Sequence, residues 1–448
     1  MGPEELLKSL TERGITRIKI GGFDIDGVPR GKYMSLDKFR SALDGGFGFC
    51  DVIFGWDIAD QLYDRASVTG WDSGFPDTLG VPDTDTLRDS PWEPNTAVAI
   101  ADFRLQDGQP HPACPRSLLR TIRDRAKALG YEANFSAEFE FFMFRESPDT
   151  LHEKGFRRLD SLTPGMFGYS WLRTGQNREL MADILDQLAA FDVPIEGLHT
   201  ETGPGVYEAA LVYDEVLRAA DKAALFKTGL KQVAREHGLS VTFMAKWNAS
   251  LPGSSGHIHQ SLLKEGKNVF AGGDSADTMS ETLRHYVGGL CHMMGDLTAM
   301  MSPTINAYKR YVPGVWAPLT VGWGVENRTT ACRLIGLDSD KSARVEHRQG
   351  AADINPYLAF AACLGAGLHG IENKIEPPDE TSGDGSAQGE PLPATLAAAT
   401  ERFAASETAR KIFGSDFVDH YAHTRRWEVR EYNRAVTDWE LQRYFEAT

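Results

Sequence analysis

In the run at residues 134–144, NFSAEFEFFMF, two glutamates stand two apart among aromatic residues: Glu138 and Glu140 alternate with Phe139 and Phe141. Two is the period of a strand, so both carboxylates leave one face and both rings leave the other. A strand of this kind buries its aromatic face in a core and presents its acidic face either to one shared pocket or to solvent. Like charges at that spacing repel unless a cation lies between them, and paired oxygens are what hard ions such as Mg²⁺ or Mn²⁺ take.

The same period recurs downstream. In PGSSGHIHQSL, His257 and His259 flank Ile258 after a Gly/Ser-rich approach that lets backbone come close to a ligand. In SARVEHRQG, Arg344, Glu346 and Arg348 lie at i, i+2 and i+4, an Arg-Glu-Arg stripe on one strand face. HTETGPGVYEAAL sets Glu201 and Glu208 on either side of Gly203-Pro204-Gly205, a turn able to bring both limbs to one place. NAYKRYVPG and VENRTTACR add Arg310, Arg328 and Arg333, whose guanidinium forks match carboxylate and phosphate geometry. Taken singly, each pattern has a plainer source: a solvated acidic face, a hydrogen-bonded core histidine, a surface ion pair. Together, five carboxylates, a histidine pair and several arginines suit phosphoryl transfer between two anions, a reaction made mostly of positioning and charge neutralisation.

Composition narrows the partners. The formal charge of -16, from 47 Lys+Arg against 63 Asp+Glu, repels phosphate backbones and anionic lipid, which argues against nucleic-acid and membrane partners. Five scattered cysteines without a Cys-x-x-Cys pair indicate neither a disulfide framework nor a thiolate metal site, and fit a reducing cytoplasm. The opening MGPEELLKSLTERG is a charged amphipathic helix pattern without an apolar signal core, so export is not expected.

With 448 residues and roughly 150 per domain, two or three units are expected. Alternation around Asp26-Gly27, and again in TAVAIADFRLQDGQ, reads as a small β-rich unit over residues 1–108. Helix and strand patterns alternate through one large α+β catalytic unit over 109–448. SETLRHYVGGLCHMMGDLTAMM reads as one long helix and GLSVTFMAK as a strand. The polar stretch EPPDETSGDGSAQGEPLP reads as a mobile loop or an interface arm.

AEFEFF, ETGPGVYE, GHIHQSL, NAYKRYVPG, NRTTACR, RVEHR and NPYLAFAA occur in the order and spacing of the glutamine synthetase family, and the chain resembles that family over nearly its whole length. The resemblance implies an N-terminal β-grasp domain followed by a catalytic domain with a curved antiparallel sheet and surrounding helices. It also implies assembly as two stacked hexameric rings, a dodecamer with active sites between neighbouring subunits. Carried over by position, it implies that Glu140, Glu201 and Glu208 hold one divalent metal and that Glu138, His257 and Glu346 hold the metal bound to ATP. Arg310 and Arg348 match the arginines that grip glutamate and its developing phosphate, Arg328 and Arg344 those on the ATP phosphates, with Arg333 nearby. His259 and Ser261 fall at the nucleotide.

The chain departs from the family at the acceptor. Six residues beyond Arg310, ammonia-using members carry a glutamate that binds and deprotonates ammonium; here the residue is Trp316. The usual N-terminal ammonium-site aspartate is replaced by FGWDIADQLYD, leaving Asp57 as the first candidate and Asp60 as the second. An indole offers an apolar wall or a face for a cation. The resemblance, with these departures, implies a ligase that joins glutamate to a small organic amine, alkyl, polyamine or aromatic. An ammonia-using glutamine synthetase is the alternative within the family, and a non-catalytic scaffold the alternative outside enzymes. Pro252-Gly253 stands where Asn-Gly commonly touches glutamate, and Val206 replaces the usual Gln of the turn; no counterpart of the adenylylated tyrosine is found.

Overall fold

Alternating residues on either side of Asp26-Gly27 pair as a hairpin of β1 (Arg17–Phe23) and β2 (Pro29–Ser35), with Gly27 at a φ of 80° in its turn. The computed structural model describes residues 2–64, 66, 68–272, 279–386 and 388–448. With β3 (Phe47–Cys50), β4 (Asp77–Asp89) and β5 (Thr96–Arg104), the hairpin makes a five-stranded sheet ordered β2-β1-β5-β4-β3, in which β1 and β5 run parallel. Ile18, Ile20, Ala97 and Ala99 of this sheet bury against Phe39 and Ala42 of the Leu36–Gly45 helix, whose first turn is capped by Ser35 accepting from the Lys38 amide.

The larger sheet positions the chemistry. Its main path is formed by β6 (Glu132–Phe144), β7 (Ile195–Thr200), β8 (Val206–Leu211), β11 (Gly256–Lys264), β13 (Trp323–Val325), β14 (Cys332–Ile335) and β15 (Arg344–His347). The order is β13-β14-β15-β11-β6-β8-β7, antiparallel throughout except for β13 with β14. The short strands β9 (Asp214–Glu215), β10 (Ser240–Thr242) and β12 (Lys267–Asn268) attach beside it. Phe139 and Phe141 are fully buried on the back of β6 and meet Phe226 of the Val216–Glu236 helix at ring centroid distances of 6.2 and 6.1 Å, with Phe243 beside them. Each such ring contributes about 1.5–3 kcal/mol on leaving water, and their burial decides which face of β6 turns to the pocket.

A polar joint fixes the small sheet to the larger unit. Arg116, at the start of the Pro115–Ala128 helix, donates to Asp102 (2.6 Å) and Asp83 (2.8 Å) of the small sheet and to Asp221 (2.7 Å) of the Val216–Glu236 helix. Removing one partner of such a buried network costs about 3–5 kcal/mol, because the remaining charges stay buried unpaired.

Three sequence expectations change. The long helix expected at residues 280–301 breaks into Glu281–Met293 and Thr298–Met301; Gly295 lies in the break, where a Cβ would stand 2.4 Å from the Arg402 guanidinium. Of GLSVTFMAK only β10 is strand, pairing with the end of β6. The polar stretch at 376–393, Ala387 apart, is tied down: Pro378 O accepts from the Trp323 indole (2.8 Å), the Thr381 amide donates to Trp323 O, and Glu390 O accepts from the Val321 amide. Among the described residues, no helix is long and apolar enough to cross a membrane.

Candidate active site

Strand register brings the distant motifs together. His257 pairs with Glu138 across β11 and β6, His259 pairs with Glu346 across β11 and β15, and Glu346 pairs with Arg333 across β15 and β14. On the other side, Glu140 pairs with Glu208, and Glu208 with His199. Directly opposed residues on one face lie within side-chain reach, so these residues become one polar patch across six strands.

His257 Nδ1 lies 2.9 Å from a Glu138 oxygen and 3.5 Å from Glu346, and His259 Nε2 lies 3.5 Å from Glu138. Burial alone would raise Glu138, but the hydrogen bonds and charges of His257 and His259 outweigh it and hold the carboxyl well below its ordinary range. Glu346, likewise penalised by burial, is held down to about 2 by His257, Arg348 and His259. It is bonded by Arg348, and by Arg333 at 3.0 Å. Arg344 donates to His259 Nδ1 at 3.2 Å.

Glu140 accepts from the Ser255 amide at 2.9 Å, yet burial first and then the Glu208 charge push it up to about 7. A crowded carboxylate pair of this kind lacks positive charge. Ligand atoms of Glu138, His259 and Glu346, of Glu138, Glu208 and His257, and of His199, Glu201 and Glu208 each fall within 4.8 Å of one another. Carboxylate-rich triads with an imidazole fit hard divalent cations, and the repelling Glu140–Glu208 pair is what such a charge would relieve.

Arg310 has the opposite imbalance. It is buried, and it donates only to Gln349 O (3.0 Å), Arg348 O (3.2 Å) and Ser255 Oγ (3.2 Å), with no carboxylate within ion-pair distance among the described residues. Burial lowers its pKa, which marks a cation short of a counter-anion. Gly253 makes this approach possible: a Cβ there would stand 2.7 Å from Ala245 O and 3.2 Å from Arg310 Cγ. Ser261, on the same face of β11 as both histidines, lines a cavity of about 730 Å³ with Glu138, His259 and Arg344. A second cavity, about 310 Å³ between the small sheet and the Val216–Glu236 helix, contains none of these residues.

Four expected residues lie outside the cluster. Arg328 is exposed, and only its carbonyl joins the patch, accepting from Arg348 Nε at 3.1 Å. Trp316 is 69% exposed on the loop after Arg310. Asp57 accepts from the Ala59 and Gln61 amides and, at 3.1 Å, from the Trp427 indole, so within one chain it is held away from the carboxylates; Asp60 pairs with Arg30 instead.

Two residues of the cluster were not read from the sequence. His199 Nε2 lies 3.0 Å from Glu208 and Nδ1 lies 3.8 Å from Glu201; burial would lower its pKa, but Glu208 carries it up to about 9. Its position two before Glu201 on a strand was the available signal. Tyr169 stacks on His199 at 4.3 Å from an uncommon left-handed backbone (φ 54°), and nothing local in the sequence marks it.

Residues 112–444 match the family model described as the glutamine synthetase catalytic domain. The chain is 44% identical to a type-1 glutamine synthetase 2 of Dictyostelium discoideum, over 96% of this chain and 83% of that protein. It is 38% identical to a glutamate–isopropylamine ligase of a Pseudomonas species, over 98% and 96% of the two chains. It is 36% identical to a gamma-glutamylethanolamide synthetase of Streptomyces coelicolor, over 100% and 96%. A solved structure described as a GmaS/ADP complex superposes with a TM-score of 0.86 at 29% identity, covering 98% of this chain and 99% of that one.

Proposed function

The chain belongs to the glutamine synthetase family, and from that premise we propose that it is an ATP-dependent ligase joining the γ-carboxyl of glutamate to a small organic amine. One relative named as a glutamate–isopropylamine ligase and one named as a gamma-glutamylethanolamide synthetase match nearly its whole length, and the observation that carries the choice of acceptor is Trp316 in place of the ammonium-binding glutamate.

In the reaction proposed, a glutamate γ-carboxylate oxygen attacks the terminal phosphorus of ATP, releasing ADP and forming a γ-glutamyl phosphate. The amine nitrogen then attacks the acyl carbon, phosphate leaves with the C–O electron pair, and the nitrogen loses one proton. The cavity lined by Glu138, His259, Ser261 and Arg344 is where the nucleotide lies in this reading, with Arg328 and Arg344 at its phosphates and Arg333 nearby. Arg310, a buried guanidinium lacking an anion, receives the substrate carboxylate, and Arg348 neutralises the charge that spreads over the transferring group. In this reading Glu138, His257 and Glu346, and Glu140, Glu201 and Glu208, would hold Mg²⁺ or Mn²⁺, which would supply charge neutralisation for the phosphoryl transfer.

An alkylamine has a pKa near 10.4 and must give up a proton before attack. Asp57, to which its own chain's Trp427 donates at 3.1 Å, is the proposed acceptor, and in this reading it serves a neighbouring copy's site in a dodecamer of two stacked rings. The five-stranded unit, residues 1–108, is then the β-grasp domain that lines the neighbour's pocket, and 109–448 the catalytic domain. Five free cysteines suit a cytoplasmic enzyme.

The test is glutamate-dependent ADP release with ammonia and with a panel of alkyl, polyamine and aromatic amines, the product identified by mass. Preference for an organic amine supports the proposal. Preference for ammonia would establish instead a glutamine synthetase, the reading favoured by the Dictyostelium relative.

A further inference from the structure

Segment 348–355, RQGAADIN, follows β15 and bears Arg348 at its start. Nearly every polar group along it is anchored. Arg310 donates to the carbonyls of Arg348 and Gln349, Gly350 O accepts from the Gly256 amide, and the Ala351 amide donates to Met301 O. Asp353 accepts from Thr304 at 2.6 Å, and the Asn355 side chain donates to the carbonyls of Asp24 and Ile25 in the turn between β1 and β2. Two further carbonyls, Ala352 O and Ile354 O, are taken by a single amine: Lys227 Nζ, at 2.7 and 2.5 Å.

Among these anchors, Lys227 alone belongs to the Val216–Glu236 helix behind the sheet. Its Nζ sits 4.6 Å from the centroid of Phe139, the ring between Glu138 and Glu140, and 5.5 Å from Phe243. One side chain therefore spans from the back of the strand bearing the two carboxylates to the loop that Arg310 and Arg348 share.

We propose that Lys227 is a positioning residue for the substrate-carboxylate clamp, fixing the distance between the Glu138/Glu140 strand and the Arg310–Arg348 pair through its two hydrogen bonds to Ala352 O and Ile354 O. Protonated or neutral, the amine keeps at least two N–H donors for the two carbonyls, so the latch does not depend on its charge. Loss of the latch lets segment 348–355 shift relative to β6, and errors of about 1 Å in such a clamp cost up to about 10²-fold in rate.

The inference rests on the glutamate reading above, and its test is arranged so that the two can fail separately. Lys227→Met keeps the stem over Phe139 and removes the donors; Lys227→Arg restores donors. With full-length protein and the preferred amine, Lys227→Met is expected to raise the KM for glutamate tenfold or more while the KM for ATP stays within twofold, and Lys227→Arg to recover most of the loss. Hydrogen exchange is expected to speed up across residues 348–355 in Lys227→Met while the rest of the helix is unchanged. An unaltered glutamate KM, equal rises for ATP and glutamate, a Lys227→Arg as impaired as Lys227→Met, unaltered exchange at 348–355, or failure of Lys227→Met to fold would each overturn the positioning role. If the wild type turned over no glutamate, the glutamate reading alone would fall, and the exchange measurement would still decide the latch.

Discussion

Glu140 and Glu208 are register partners across β6 and β8, which sets two carboxylates side by side on the sheet, and burial with the Glu208 charge pushes Glu140 up to about 7. A carboxyl whose pKa is raised by folding binds its proton more tightly folded than unfolded. Its stabilising contribution is complete below the unfolded value of about 4.3 and is lost as pH rises through about 7. The Tm of chelator-treated protein is therefore expected to fall between about pH 5 and pH 8, and added Mg²⁺ to reverse the loss at pH 8. Asp24 and Glu428, raised mainly by burial to about 7, add their own share of the slope, so the informative quantity is the difference between wild type and Glu140→Gln. Parallel Tm–pH curves for the two proteins would show that Glu140 is not strained by its neighbour.

Arg310 is a buried guanidinium that bonds only carbonyls and a hydroxyl. Arg310→Ala is expected to lower kcat/KM for glutamate by more than about 10²-fold, roughly 2.7 kcal/mol, while Mg²⁺-dependent ADP binding measured by calorimetry stays near wild type. Arg310→Lys should rescue little, because an ammonium cannot form the bidentate fork. A variant that lost ADP binding as severely as glutamate turnover would place Arg310 at the nucleotide instead.

His199 contacts both Glu208 and Glu201 and carries Tyr169 stacked on its ring. Groups that orient ligand carboxylates typically contribute 10–100-fold to metal affinity. His199→Ala is expected to weaken Mn²⁺ binding by about that factor, read by titration in the absence of nucleotide, and Tyr169→Ala by less. Unchanged affinity in His199→Ala would make the histidine a packing residue.

The parts of the site legible in the sequence are those written in the period of a single strand. Glu138/Glu140, His257/His259 and Arg344/Glu346 each declare a shared face locally, and register then needs only to align three strands. Relations between strands carry no such local mark. His199 reaches Glu208 only because β7 folds back on β8, Tyr169 arrives from a loop held by the Thr200 backbone, and Lys227 acts from a helix 125 residues before the carbonyl it binds. For the same reason the order of the ten-stranded sheet was not readable, whereas the β1–β2 hairpin, closed by Asp26-Gly27, was. The polar stretch at 376–393 reads from its composition as a mobile loop or an interface arm, while at Thr381, Glu390 and Pro391 its backbone pairs with residues 320–323.

Trp316 tests the acceptor most directly. It is 69% exposed, so replacing it disturbs little packing and should change stability by no more than about 0.5 kcal/mol. In Trp316→Glu a carboxylate stands where ammonia-using relatives carry theirs. If Trp316 lines the acceptor pocket as proposed, that carboxylate attracts a small cation and accepts its proton, and the apolar wall for an alkyl or aromatic substituent is lost. The ratio of kcat/KM for ammonia to that for the preferred amine is expected to rise tenfold or more, about 1.4 kcal/mol. The KM for ATP should not move, since the cavity lined by Ser261 and Arg344 does not include this loop. Competition assays with equal ammonia and amine, products resolved by mass, measure the ratio without depending on either KM. An unshifted ratio in a variant of normal Tm would mean that the tryptophan does not line the acceptor pocket, and the choice of an organic amine over ammonia would lose its main support.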